Sequence, residues 1–238
     1  MKKEESKIKT KYKKSKSKQS SKFIFWIIGI VSLCLLGLIF ISKSSSKEGS
    51  IGYENQPYLG KESAPVKIVE FGDYKCPICK NFNETFFPQI QNDLIETGTV
   101  QFYFMNYAFI NIDSTRTAQF AEAVYDVLGK DDFWRFHEVI YQKQPYNPSF
   151  EKMDIFTDTF LLQTLTEVVG TQKTEKVKKV YKDRKYKKAL DKDMFYVNKL
   201  SVSGTPTLFI NDKKFEGNTF EQLKQAVEEA KRDKSNDE

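Results

Sequence analysis

The stretch "FGDYKCPICKNF", Phe71 to Phe82, sets two cysteines two residues apart behind an apolar run, with a proline after the first. Upstream, "PVKIVEFGDY" (Pro65 to Tyr74) reads as a strand entered through proline, with Val66, Ile68, Val69 and Phe71 expected to be buried. From Cys76 onward the pattern turns helical. Ile78, Phe82, Phe86 and Ile90 recur at fours, a face expected to pack on a sheet. Pro77 falls at the first helical position, where its fixed φ helps and its missing N–H costs nothing. Pro88 is expected to kink or divide the helix. "TVQFYFMNYAF" (Thr99 to Phe109), dense in aromatic and β-branched residues, is a second strand. Two strands joined through a helix predict a parallel pair with a right-handed crossover.

Three chemistries compete for Cys76 and Cys79. A structural zinc site needs four N or S ligands, and a catalytic one three plus water. The pair and the sole histidine, His137, fall short of the common sets, so no metal is assigned. A purely structural disulfide gains little, because so short a loop restricts the unfolded chain only slightly. The redox reading has positive support. Cys76 sits at the N-terminal edge of a helix, where backbone N–H groups and the positive dipole end favour the nucleophilic thiolate. Cys79, one turn on, is placed to resolve a mixed disulfide. Lys75 adds a cation beside Cys76.

Beyond the second strand, "DSTRTAQFAEAVYDVLGK" opens with cap residues and closes at Gly129. "DDFWRFHEVIYQKQ" and "TFLLQTLTEVVG" follow as helices, and then the amphipathic, charge-alternating "TEKVKKVYKDRKYKKALDKDMFYVNKL". His137 reads as a packed helix residue. The lysine-rich run reads as a solvated face with charge pairs one turn apart. "SGTPTLFIN" (Ser203 to Asn211) returns to strand, and Asn211-Asp212 followed by two lysines predicts a hairpin. Thr219 and Gln222 form a Thr-x-x-Gln capping box that opens a last helix. The order is strand, helix, strand, a helical block, strand, strand, helix.

"VEFGDYKCPICKNF" resembles the active-site strand and helix of the thioredoxin superfamily. The helical block with "FWRFHEVIY" is similar to the DsbA family of disulfide oxidoreductases, especially its membrane-anchored Gram-positive members. "SGTPTLFI" resembles that family's cis-proline loop, about 130 residues after the cysteines. The resemblance implies an α/β thioredoxin fold over residues 57–234, with a helical insertion at about 113–195. It implies Cys76 as the exposed nucleophile and Cys79 as its buried partner, flanked by Pro77 and Ile78. Pro206 is then cis and faces the cysteines, while the Thr205 backbone pairs with an extended substrate segment. Glu70 matches the buried acid beneath the active site, a proton acceptor for Cys79. One departure is Ile78, where strongly oxidising members carry His. An aliphatic side chain gives the Cys76 thiolate no hydrogen bond, so a weaker oxidant than DsbA, near −120 mV, is expected.

The chain has 238 residues and a formal charge of +6. Met1 to Lys22 holds ten lysines against two glutamates, +8, so the remainder carries −2 and offers no nucleic-acid surface. Phe23 to Ile41 contains no charge over nineteen residues, roughly 28 Å as a helix, close to the thickness of a bilayer's hydrocarbon core. Residues 1–22 therefore read as a basic cytoplasmic tail, 23–41 as a transmembrane signal-anchor and 42–56 as a flexible linker. The length favours an anchor over a cleavable signal peptide. The expected activity is donation of a disulfide to exported proteins with free thiols, outside the cell membrane and without a small-molecule cofactor. A quinone-linked, DsbB-like membrane partner would reoxidise the dithiol. A reductase or isomerase using the same pair, or a peptide-binding, chaperone-like module, are the alternatives.

Overall fold

The computed structural model describes residues 50–182 and 186–237, so the expected tail and anchor at 1–41, and most of the linker, lie outside the described residues. Among the described residues no helix is long and apolar enough to cross a membrane.

The structure is built on a five-stranded sheet in the order β1-β3-β2-β4-β5. The strands are β1 (Tyr58–Leu59), β2 (Val66–Gly72), β3 (Val100–Asn106), β4 (Thr207–Ile210) and β5 (Lys213–Lys214). β2 and β3 are parallel, with Ile68 opposite Phe102 and Glu70 opposite Phe104. β4 runs antiparallel to β2 and sets Leu208 opposite Glu70. The two-residue β1, pairing antiparallel with β3, has no periodicity to announce it in the sequence.

Both faces of the central strands are covered, so β2 and β3 are apolar without alternation. One face sends Val66, Ile68, Phe102, Phe104, Leu208 and Ile210 into the larger core. The other sends Val69, Phe71, Tyr103, Met105 and Phe209 against Ile51, Val197 and Val202. Glu70 occupies a register position on the first face, between Phe104 and Leu208. The last residue of β2 is Gly72, where a Cβ would meet the Phe104 ring at 2.5 Å.

The helix after β2 is divided. It runs as α1 (Pro77–Asn81), a π turn (Phe82–Phe86), α2 (Phe87–Ile90) and a second π turn (Gln91–Ile95). Pro88 has no N–H to offer the carbonyl four residues back, and the wider π register precedes it. Phe82 and Ile90 are buried as expected, but Ile78 is 64% exposed. It belongs to the first turn, beside Cys76 and outside the packed stripe.

Between β3 and β4 lie α3 (Ile112–Leu128), α4 (Lys130–Gln142), a 3-10 turn (Pro148–Lys152), α5 (Asp158–Val169), α6 (Thr171–Tyr181) and α7 (Lys187–Lys199). The last charged stretch, read as one amphipathic segment, is two helices. α3 is capped by Asn111, with Ser114 reciprocating, and not by Asp113 or Ser114 alone. Asp113 is thereby free for the site. Gly129 and Gly170, both at φ 81°, separate α3 from α4 and α5 from α6. Asp193 of α7 accepts from the backbone N–H of Asn106 at 2.8 Å and from Gln56 Nε2 at 2.7 Å, which fastens α7 to the end of β3.

Asn211 and Asp212 turn the β4–β5 hairpin with φ of 43° and 70°. The last helix, α8 (Phe220–Asp237), opens on a reciprocal box. Gln222 N–H donates to Thr219 Oγ1 at 3.2 Å, and Thr219 N–H donates to Gln222 Oε1 at 3.2 Å. Thr219→Ala removes one side of this box and is expected to cost about 1 kcal/mol in urea unfolding, with the thiols unaffected.

Candidate active site

β2 runs into a turn at Asp73 whose geometry sets the cysteines. Asp73 Oδ1 accepts from Lys75 N–H at 2.8 Å, and its carbonyl accepts from Cys76 N–H at 3.0 Å. Asp73 Oδ2 accepts from the N–H groups of Phe109 and Ile110, tying the turn to the chain entering α3. Cys76 then caps α1 with extended backbone, φ −79° and ψ 119°, and its sulfur accepts from Cys79 N–H at 3.4 Å. The helix-edge position expected for Cys76 is what a Pro at N1 produces.

Both cysteines are free thiols. Cys76 is pulled down to about 6. The Cys79 thiol donating to its sulfur is the largest cause; burial opposes it, and the Thr205 side chain and the N–H groups of Cys79 and Ile78 add to the lowering. Cys79 goes the other way, held well above the usual thiol range by burial first, then by donating to Cys76 and by the Glu70 charge. The pair is therefore asymmetric: one sulfur ionises at neutral pH and its neighbour keeps its proton.

Two expectations need correcting. Cys76 is not broadly exposed: it shows 5% of its surface, against 0% for Cys79, because Thr205 lies over it. Cys76 Sγ stands 3.4 Å from the Thr205 carbonyl oxygen, and the Thr205–Pro206 peptide is cis. Lys75 does not act as a cation on the thiolate. It is fully buried, with Nζ 3.1 Å from Asp113 Oδ2 and donating to the carbonyls of Phe150 and Met153, each at 2.7 Å. Its positive charge is compensated there by Asp113, and Lys75 is not among the main groups that set the acidity of Cys76.

Glu70 is completely buried, and neither carboxylate oxygen has a hydrogen-bond partner among the described residues. Burial, and secondarily the Cys76 charge, hold it well above the usual carboxylate range. A carboxylic acid in this state can give up a proton inside an apolar pocket, and the charge it then carries raises Cys79. Ile78 donates no side-chain hydrogen bond, and Pro77 lines a small cleft with Lys80 and Tyr146. A separate groove of about 530 Å³ is lined by Ile78, Phe82, Phe86, Pro206 and Phe215. Among the described residues no group of three or more His, Cys, Asp or Glu side chains is placed to hold a metal ion.

Several anchors of the site had no signal in the sequence. Lys80 Nζ donates to the carbonyls of Tyr141, Gln142 and Gln144 at 3.0 to 3.1 Å and pairs with Glu84 at 3.0 Å. Gln144 Nε2 donates to the Tyr74 carbonyl at 2.6 Å and to the Cys76 carbonyl at 3.4 Å. The carbonyl partners lie more than 60 residues away, beyond any local pattern. Asp73, in an Asx turn two residues before Lys75, and the Lys80–Glu84 pair one helical turn apart are of types that local sequence announces.

Alkylation of the dithiol chain should rise with a midpoint near pH 6 for Cys76, with Cys79 unreactive there; two equal midpoints near 9 would contradict the asymmetry. Glu70→Gln tests the buried acid. The raised acid keeps its proton in the folded state where the unfolded chain releases it, so stability declines as pH rises above the ordinary carboxylate value. The variant should gain thermal stability at pH 8 and gain little at pH 4. Lys75→Met leaves Asp113 buried without its cation and should cost about 3–5 kcal/mol in urea unfolding.

The family described as Thioredoxin matches residues 53–229. A Bacillus cereus protein named "Probable disulfide bond formation protein D" is 34% identical over 206 residues, covering 85% of this chain and 93% of the relative. The Bacillus subtilis protein named "Disulfide bond formation protein D" is 35% identical, covering 76% and 79%. The crystal structure of oxidised BdbD from Bacillus subtilis superposes with a TM-score of 0.70 at 34% identity, over 77% of this chain and 97% of that one. Wolbachia pipientis α-DsbA2 follows at 0.61 and 25%, over 74% and 87%. A thioredoxin sheet interrupted by a helical block, with an acidified thiol at the head of its first helix, thus goes with Bacillus relatives named for disulfide bond formation: the chain belongs to the thioredoxin family, on its DsbA-like branch, and is a protein disulfide oxidoreductase.

Proposed function

We propose that the enzyme works outside the cytoplasm, held to the cell membrane by residues 23–41, and donates the Cys76–Cys79 disulfide to exported proteins. The observation that carries this reading is the asymmetry of the pair. A thiol lowered to about 6 is a good leaving group, and a disulfide whose reduced form is stabilised in this way is an oxidant. The names of the Bacillus relatives, which refer to disulfide bond formation, support the direction.

A client thiolate attacks Cys76 Sγ of the enzyme disulfide. The S–S bond breaks, and Cys79 leaves as a thiolate that takes up a proton, which the buried, protonated Glu70 can supply because the two groups feel each other's charge. The client's second thiolate then attacks the client sulfur of the mixed disulfide. Cys76 leaves as the stabilised thiolate, the client has lost two electrons, and the enzyme is left as the dithiol. The Thr205 carbonyl, already 3.4 Å from Cys76 Sγ, lies where an extended client segment would reach the sulfur. Quinone-linked reoxidation through a DsbB-like membrane partner would return the disulfide by removing two electrons. The run of lysines before Phe23 supports a cytoplasmic N-terminus.

Cys79→Ser should accumulate mixed disulfides with exported proteins, and adding Cys76→Ser should abolish them; unchanged trapping in the double variant would leave only a binding module. In intact cells the pair should rest as the disulfide, and a resting dithiol would reverse the direction to reductase. A membrane-impermeant maleimide should reach the reduced chain in protoplasts without lysis, and labelling only after lysis would overturn the location.

A further inference from the structure

His137 lies far from the cysteines in sequence and has no place in the exchange steps, yet it is 1% exposed and held from both sides. Its Nδ1 is 3.0 Å from the Tyr74 hydroxyl, and its Nε2 is 3.2 Å from Asn83 Oδ1. Asn83 Nδ2 donates to the Cys79 carbonyl at 3.0 Å. A carbonyl can only accept, so the amide nitrogen of Asn83 faces Cys79 and its oxygen faces the ring. Burial pushes His137 down to about 3, so the ring is neutral and carries one N–H. That N–H is at Nε2, because Asn83 Oδ1 can only accept. Nδ1 is then bare and takes the Tyr74 O–H.

Every bond in the chain is thereby directed, from Tyr74 through His137 and Asn83 to the Cys79 carbonyl. Tyr74 is two residues before Cys76, and Cys79 is the last residue of the motif. The chain therefore spans the redox segment from behind and closes a ring through α4. The aromatic rings of Phe104, Trp134 and Tyr141 surround the imidazole at 4.5, 4.9 and 5.0 Å, which leaves it a single orientation. The π turn begins at Phe82, so the Cys79 carbonyl lies where the helical register changes; it accepts the Phe82 backbone N–H, and the Asn83 side chain adds a second donor.

We propose that His137 is a positioning residue for the redox pair, holding the Cys79 turn against Cys76 through Asn83. What it positions is the Cys79 N–H and thiol that donate to the Cys76 sulfur. The inference rests on Cys76 and Cys79 being the working pair. The parent chain's own thiol titration tests that reading, and departures from it in the variants test the positioning.

The full-length chain is compared as parent, His137→Phe, His137→Gln, Asn83→Ser and the His137→Phe/Asn83→Ser double variant. The readouts are the Cys76 titration and the equilibrium constant with glutathione. Phe keeps the volume and removes both bonds, and Gln restores a donor toward Asn83. Loss of one directed bond, about 1 kcal/mol, should weaken the Cys76 thiolate and the oxidising equilibrium by about fivefold. Asn83→Ser should give the same shift, the double variant no more than either single one, and His137→Gln should recover part of it. Should His137→Phe fail to fold, the half-buried Asn83→Ser carries the test alone. Lowered melting temperature with an unchanged titration and equilibrium in both variants, or additive shifts in the double one, would overturn the proposal.

Discussion

An ionised sulfur with almost no surface in water has to be stabilised by the protein alone. Burial works against the Cys76 thiolate, and the donors that overcome it come from one turn of helix: the Cys79 thiol and N–H, and the Ile78 N–H, with the Thr205 side chain approaching from the facing loop. The rest of the site follows from keeping those donors together. Pro77 starts the helix where the sulfur can cap it, Asp73 folds the preceding turn, and β4 brings Thr205 across.

The buried charges of the site divide into two kinds. Lys75 and Lys80 flank the cysteines, and both are satisfied by carbonyls of the helical block together with a carboxylate. They act as fasteners, because a compensated cation in the interior sends little field to its neighbours. Glu70 is the opposite case, a carboxyl with no hydrogen-bond partner among the described residues, which burial keeps as the neutral acid until a nearby anion takes its proton. The uncompensated group beneath the sulfurs is thus the one whose protonation can follow the chemistry.

The two central strands, the redox helix, the hairpin and the last helix were legible because each depends on neighbours a few residues away. Pro88, Asn211-Asp212 and the Thr219–Gln222 box act through local backbone geometry, and the structure realises each of them. What a sequence cannot display is the destination of a long side chain. Lys75 beside Cys76 reads as a cation for the thiolate, but its Nζ is captured by Asp113 and two distant carbonyls. Ile78 matched the spacing of the buried stripe, yet the helix begins beyond the packed face and leaves it in solvent. His137 read as a packed residue, which it is; its two partners, 63 and 54 residues away, were invisible. Asp113 looked like a cap until Asn111 took that place.

The three carbonyls gripped by Lys80 belong to the end of α4 and the residues just beyond it. Together with the Gln144 bonds to Tyr74 and Cys76, they make the helical block and the redox turn a single stiff body. A polypeptide that is to present its sulfur to Cys76 beneath Thr205 must therefore do the bending itself. Whatever chain carries that sulfur meets a fixed edge, with 5% of the Cys76 surface open to it.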